Sequence, residues 1–164
     1  MRDYNTDYSG RQVDIEWLQS ITRPRTDPTQ LAFSFTSNTK IVTGLQRLAQ
    51  RFTLTFLTNL QDIQFDQTFG TTFWRDLYRG AAQNIGRVAV AVNRAMLAAL
   101  AQMQAEDVDT DTYGDMEPDD QISRATLVNY AIDRTTGTLN IEISIQSQAG
   151  TSYTYVLPVQ AVRT

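Results

Sequence analysis

Ten residues near the C-terminus constrain the fold most. Thr138 to Ser147 reads TLNIEISIQS, with Leu139, Ile141, Ile143 and Ile145 alternating strictly against Thr138, Asn140, Glu142 and Ser144. A strand turns successive side chains to opposite faces, so this stretch predicts a strand with one buried and one wet face. Similar runs flank it. Residues 125–133 (ATLVNYAID) lead into the turn Arg134-Thr135-Thr136-Gly137, and residues 151–159 (TSYTYVLPV) return after Ala149-Gly150. Three such runs joined by short turns predict an antiparallel β-meander. The outer strands of a meander have unpaired edges, which accept a strand from a partner.

The preceding half has a different period. Phe73, Trp74, Leu77, Tyr78, Ala81, Ile85, Val88, Ala89, Val92, Met96, Ala99, Leu100 and Met103 follow a 3.6-residue repeat. This predicts a helix from Thr72 to near Glu106, or a pair broken around Gly80 and Gly86. Acids at its C-terminal end oppose the helix dipole, so the helix stops before them or they face a base. Thr43 and Gln46 match a capping box for an earlier helix running to about Leu57, with Leu45, Leu48, Ala49 and Phe52 on its apolar side and Arg47 and Arg51 opposite. Residues 59–72 read as a loop, with Gly70 free to take a positive φ.

Further upstream, residues 13–21 (VDIEWLQSI) read as a strand or extended arm. Residues 31–36 (LAFSFT) read as a short strand, with Ile41-Val42 as its returning partner. Residues 1–12 are polar and predict a flexible arm, leaving 13–164 as a single domain. The fold class is therefore α+β: an N-terminal extended or hairpin region, two main helices and a C-terminal antiparallel β-meander. The apolar helix stripe exceeds what a domain of 164 residues covers comfortably, which predicts packing against other chains.

Composition narrows the chemistry. The chain has no Cys and no His, which excludes disulfides, thiolate nucleophiles, Ser–His pairs and the common zinc sites. The net charge of −4 makes it a poor nucleic-acid binder. No run of about 18 apolar residues predicts a membrane span. Charge is uneven: Glu106, Asp107, Asp109, Asp111, Asp115, Glu117, Asp119 and Asp120 cluster with no base among them. The bases are Arg except for Lys40, and Arg is the better interface residue because its planar fork pairs carboxylates bidentately.

Three local patterns invite chemistry. Asp107, Asp109 and Asp111 have the alternate spacing that opens an EF-hand loop, but Thr112 and Pro118 stand where Gly and the bidentate Glu belong. No metal site is therefore predicted, and the segment reads as a solvated or docking loop. Glu16 and Glu117 are the nearest candidates for a glycosidase pair, without a recognisable partner or motif. The aromatics Phe52, Phe56, Phe65, Phe69, Phe73 and Trp74 read as core.

The order of these segments carries a resemblance. It runs through Val42-Thr-Gly44-Leu-Gln-Arg-Leu-Ala-Gln-Arg51, then residues 54–60, Phe69-Gly70-Thr71, the long helix, Glu117-Pro118 and the 139–145 strand. This resembles the bacteriophage contractile-tail baseplate wedge and sheath-initiator family, termed gene twenty-five-like and, in name only, lysozyme-like. One departure is that Asp119 follows Glu117-Pro118 where the family carries Arg; the nearest base is Arg124. The resemblance implies a virion protein of the tail baseplate, made in the bacterial host cytoplasm and present in symmetric copies. Its implied partners are other wedge subunits, the tail sheath protein and the tail tube, with no nucleic acid, membrane or cofactor. It assigns strand exchange with the sheath to Leu139, Ile141, Ile143 and Ile145 with Tyr153 and Tyr155. Wedge contacts fall to Glu117, Pro118 and Arg124, and no residue is catalytic. The alternative is a peptidoglycan-cleaving tail enzyme using Glu16 and Glu117.

Overall fold

The structure is a computed structural model that describes residues 14–15, 18–21, 30–33, 41–79, 84–111, 116–133 and 135–160. The predicted 1–12 arm, Glu16 and residues 22–29 lie outside these residues. The fold is α+β. Strands β1 (Asp14–Ile15), β2 (Leu18–Ile21), β3 (Gln30–Phe33) and β4 (Ile41–Val42) precede helices α1 (Gly44–Leu57), α2 (Phe73–Tyr78) and α3 (Ile85–Thr110). A 3-10 turn, Pro118–Asp120, then leads into β5 (Ile122–Asp133), β6 (Thr138–Ser147) and β7 (Ser152–Gln160).

The predicted meander forms: β5 pairs antiparallel with β6, and β6 with β7. The N-terminal segments extend it. β3 pairs with β2 antiparallel and joins β7 in parallel at Gln30↔Val156, giving a five-stranded sheet of order β2-β3-β7-β6-β5. β4 does not return against β3 as its position suggested. It pairs with β1 in a separate two-stranded ribbon.

Burial explains why the sheet takes this face inward. Leu139, Ile141, Ile143 and Ile145 of β6 are fully buried, and Tyr155, Leu157 and Val159 continue the layer on β7. α1 lies over β6 and β7, and α3 over β5, so the two long helices cover one face of the sheet. Their contribution is Leu48, Phe52 and Phe56 from α1 and Val88, Val92, Met96, Ala99 and Met103 from α3. Burying one such side chain stabilises by about 1.5–3 kcal/mol, so this face dominates folding. By length and composition alone, residues 86–110 are apolar enough to cross a membrane, but the same residues supply this core stripe.

The long periodic segment is broken, as its glycines allowed. α2 ends at Tyr78, and α3 restarts behind Asn84, whose side chain accepts hydrogen bonds from the N–H groups of Gly86 and Arg87. α3 then runs past Glu106 to Thr110, so the first acids of the cluster are helical rather than loop residues.

The α1 cap also differs from its motif. Thr43 makes no side-chain capping bond. Gly44 takes φ 55, and its N–H donates instead to Asp120 Oδ1 at 2.8 Å. The helix is capped by a carboxylate 76 residues away in sequence, itself buried in the 3-10 turn.

Candidate functional site

The acidic cluster is largely a structural latch. Asp107 is buried; its Oδ1 accepts from Arg51 Nη1 at 2.9 Å, and its Oδ2 accepts from the Ile122 N–H at 2.8 Å. Glu106 takes the other arm of the same guanidinium at 3.1 Å. The acids at the end of α3 do face a base, and that base sits on α1. Asp111 accepts from the Met116 N–H and from Gln121 Nε2. Asp119 accepts from the hydroxyls of Ser147 and Thr151, tying the 3-10 turn to the β6–β7 turn. With Asp120 capping α1, five carboxylates of the acidic cluster lock α1, α3, β5 and the β6–β7 turn together instead of forming a solvated or docking loop. Both oxygens of Asp107 accept from protein donors, so the residue at the first position of the EF-hand spacing serves the latch.

Arg47 lies against this latch rather than on an open polar face. Its Nη1 is buried without a hydrogen-bond partner. Desolvation first, and the Arg51 charge second, hold its pKa below the ordinary value, while Asp120, Asp14 and Asp107 pull the other way.

The residues assigned to strand exchange sit in the middle of the sheet. β6 is hydrogen-bonded on both sides, and its four Leu/Ile side chains face the helices. A central strand has no free backbone edge to offer, so Leu139, Ile141, Ile143 and Ile145 are placed in the platform of the sheet and not on an edge. Tyr155 is likewise core. Its hydroxyl lies 3.0 Å from Thr53 Oγ1 inside the protein, and burial pushes its pKa up. Tyr153, half-buried, stacks on Tyr155 at 5.8 Å between ring centres.

The open edge is one strand over. Among the described residues β5 pairs with β6 alone, so the outer side of a strand of 12 residues has no partner strand there. Two bulges interrupt it, at Ser123 and at Val128, the residues skipped by the β6 register. The first is held from behind, where Gln104 Nε2 of α3 donates to the Ser123 carbonyl at 3.0 Å. The second leaves Val128 53% exposed. Between them Arg124, Thr126 and Val128 line a shallow concavity of about 350 Å³ with Ser144, Gln146 and Ser152.

The residues assigned to wedge contacts are exposed but not assembled. Glu117 and Pro118 open the 3-10 turn, and the Pro118 carbonyl accepts from the Ala149 N–H at 3.2 Å. Arg124 stands opposite Gln146 on β5, and among the described residues no ion pair joins it to Glu117. For the hydrolytic alternative, Glu117 is exposed and Glu16 is outside the described residues, so no carboxylate pair is placed.

One aromatic expected in the core is exposed instead. Phe52, Phe56 and Phe73 are buried, with 4.6 Å between the Phe56 and Phe73 rings, but Phe65 is 95% exposed. It stands in the 59–71 loop, which has a firm base. Leu60 N–H donates to the Thr71 carbonyl, and Thr71 N–H to that of Thr58. Gln102 of α3 grips Gly70 from both sides, accepting from its N–H at 3.0 Å and donating to its carbonyl at 2.7 Å. Gly70 takes φ 101, and a Cβ there would lie 2.6 Å from the Thr58 carbonyl oxygen, so only glycine fits. The polar context of Phe65, between Asp62 and Asp66 and among Gln61, Gln64 and Gln67, was the available signal.

No family model, curated protein or solved structure matches the chain.

Proposed function

We propose that the protein is a non-catalytic structural subunit of a contractile-tail baseplate, joining the wedge and initiating sheath assembly by β-strand exchange. The observation that carries this reading is the outer edge of β5. It is long, has no partner strand among the described residues, and belongs to a sheet backed by two helices and latched at one end. Strand addition at such an edge gains main-chain hydrogen bonds and takes its specificity from alternate side chains. The order of segments that resembles the sheath-initiator family supplies the class of partner: a strand from a tail sheath subunit. The reading places the protein in the virion, with other wedge subunits and the tail tube as further neighbours.

Relative to the assignment drawn from sequence, the exchange surface moves from β6 to β5. A proline at Ile143 would test only folding, since it strikes the middle of the core. Val128 is the better position. It is the extra residue of a bulge, where proline costs the β5–β6 ladder least, and it lies on the open edge. Val128→Pro is expected to keep the native thermal melting transition and to abolish sheath polymerisation on baseplates carrying it. Normal sheath growth on a folded Val128→Pro subunit would sink the strand-exchange reading.

A further inference from the structure

Two exposed features of this chain complement each other, and among the described residues no hydrogen bond or ion pair joins them within one molecule. The first is the 59–71 loop. Its base is clamped by Gln102, Asp66 organises its descending limb by accepting from Thr68 and Phe69, and Gln61 is fixed at φ 77, a conformation uncommon for a residue with a side chain. The tip is thus preorganised, which reduces the ordering cost of binding. It presents Phe65 almost wholly to solvent, with Ile63 partly exposed beside it, and carries Asp62 and Asp66 with no Lys or Arg between residues 59 and 71. Hydrogen bonds from the Thr68 hydroxyl and backbone hold Asp66 below the usual carboxylate pKa, so it stays charged.

The second feature is a groove between α2 and α3. It has a volume of about 260 Å³, an apolar floor of Val90 and Ala91, and a rim of Arg79, Arg87 and Arg94 with Asp76. Asp76 already accepts from Thr72 at 2.9 Å and lies 3.5 Å from Arg94. Arg79 and Arg87 have no carboxylate partner among the described residues. The groove therefore offers an apolar slot ringed by surplus positive charge, and Val90 in its floor remains 58% exposed.

We infer that the Phe65 loop of one copy docks in the α2–α3 groove of a second copy, with Phe65 on Val90 and Ala91 and with Asp62 and Asp66 meeting Arg79 and Arg87. Charge complementarity selects this occupant: an aromatic flanked by two acids, and an apolar slot flanked by two guanidiniums, Arg79 and Arg87, that have no carboxylate partner among the described residues. Arg–carboxylate pairing supplies direction, and the buried aromatic supplies the anchor. The contact is head-to-tail, since the loop and groove are different surfaces. Such a contact closes into a ring or continues as a filament. It is independent of the β5 edge.

Sedimentation velocity tests the pairing with two exposed-site variants, Phe65→Ala in the loop and Arg87→Glu in the groove. The native chain is expected to associate beyond the dimer as concentration rises towards about 1 mM, and less so as salt screens the arginines. Each variant alone, shown to be folded by circular dichroism, is expected to be monomeric. Their equimolar mixture has one intact loop and one intact groove, so it is expected to give a 1:1 dimer that grows no further. A native chain that stays monomeric throughout overturns the inference. So does a Phe65→Ala chain that associates as the native one does, or a mixture that remains monomeric. Val128→Pro should leave this association unchanged, which separates its failure from failure of the strand-exchange reading.

Discussion

β5 and β6 are neighbours with the same alternating pattern and opposite roles. β6 has ten residues, is paired along both sides, and sends Leu139, Ile141, Ile143 and Ile145 into the core with no exposed surface. β5 has 12, is paired along one side among the described residues, and carries two bulges. Its inward residues Ala125, Leu127, Tyr130 and Ile132 are only partly buried against the same core. The difference separates two properties of a strand. Alternation specifies which face is buried; position in the sheet specifies which backbone groups remain available. A strict pattern therefore marks a strand as buried on one face without marking it as a site of exchange.

Energetics sharpen the contrast. Ile143→Ala, in the centre of β6, is expected to cost about 2–5 kcal/mol in denaturant unfolding through lost burial and a residual cavity. Val128→Ala on β5 is expected to stay within about 0.5 kcal/mol, as an exposed substitution does. Equal costs at the two positions would break the comparison.

The start of β5 depends on the latch. Asp107→Asn keeps an acceptor for the Ile122 N–H but loses the charge that holds Arg51. A cost of about 2 kcal/mol is expected, in line with hydrogen bonds to charged groups. Because the Asp107–Arg51 contact is little exposed, the cost should persist in high salt. If it vanishes there, the latch is a solvated ion pair after all.

A smaller effect is expected across the β6–β7 pair, where Tyr155 faces Ile143. Tyr155→Phe removes the bond to Thr53 and is expected to cost about 1 kcal/mol. The tyrosine also sets a pH dependence. Its folded-state pKa is raised, chiefly by burial, so the unfolded chain releases this proton first. Its stabilisation is complete below the ordinary tyrosine pKa of about 10 and declines as pH climbs above it. Tyr155→Phe should therefore flatten the alkaline arm of the stability profile. An unchanged alkaline arm would show that other groups govern it.

The legibility of the sequence follows the range of the interactions. The meander, the α1 and α3 core stripes and the positive φ of Gly70 depend on neighbours a few residues apart, and period and residue type reveal them. Sheet order does not have that property. The meander leaves both β5 and β7 as outer strands, and nothing local to either states that β3 will close the far side of β7 and leave β5 as the open one. The α1 cap is a sharper case. Thr43 and Gln46 satisfy the local motif, yet Gly44 turns left-handed and a carboxylate from the 3-10 turn takes over. The latch was half legible. Acids in the last turns of α3 require a base, but which base emerges only when α1 and α3 pack and bring Arg51 across. Phe65 shows the converse error, in which residue type outweighed a polar neighbourhood that marked it as exposed.

Hydrogen exchange by mass spectrometry, read by peptide on the protein alone and assembled with tail sheath subunits, tests the central claim most directly. If a sheath strand adds to the open edge, amides within residues 122–133 will slow markedly on assembly, while those of 138–147, already protected on both sides, will not change. Sheath assembly that leaves exchange across 122–133 as fast as in the free chain would contradict the account.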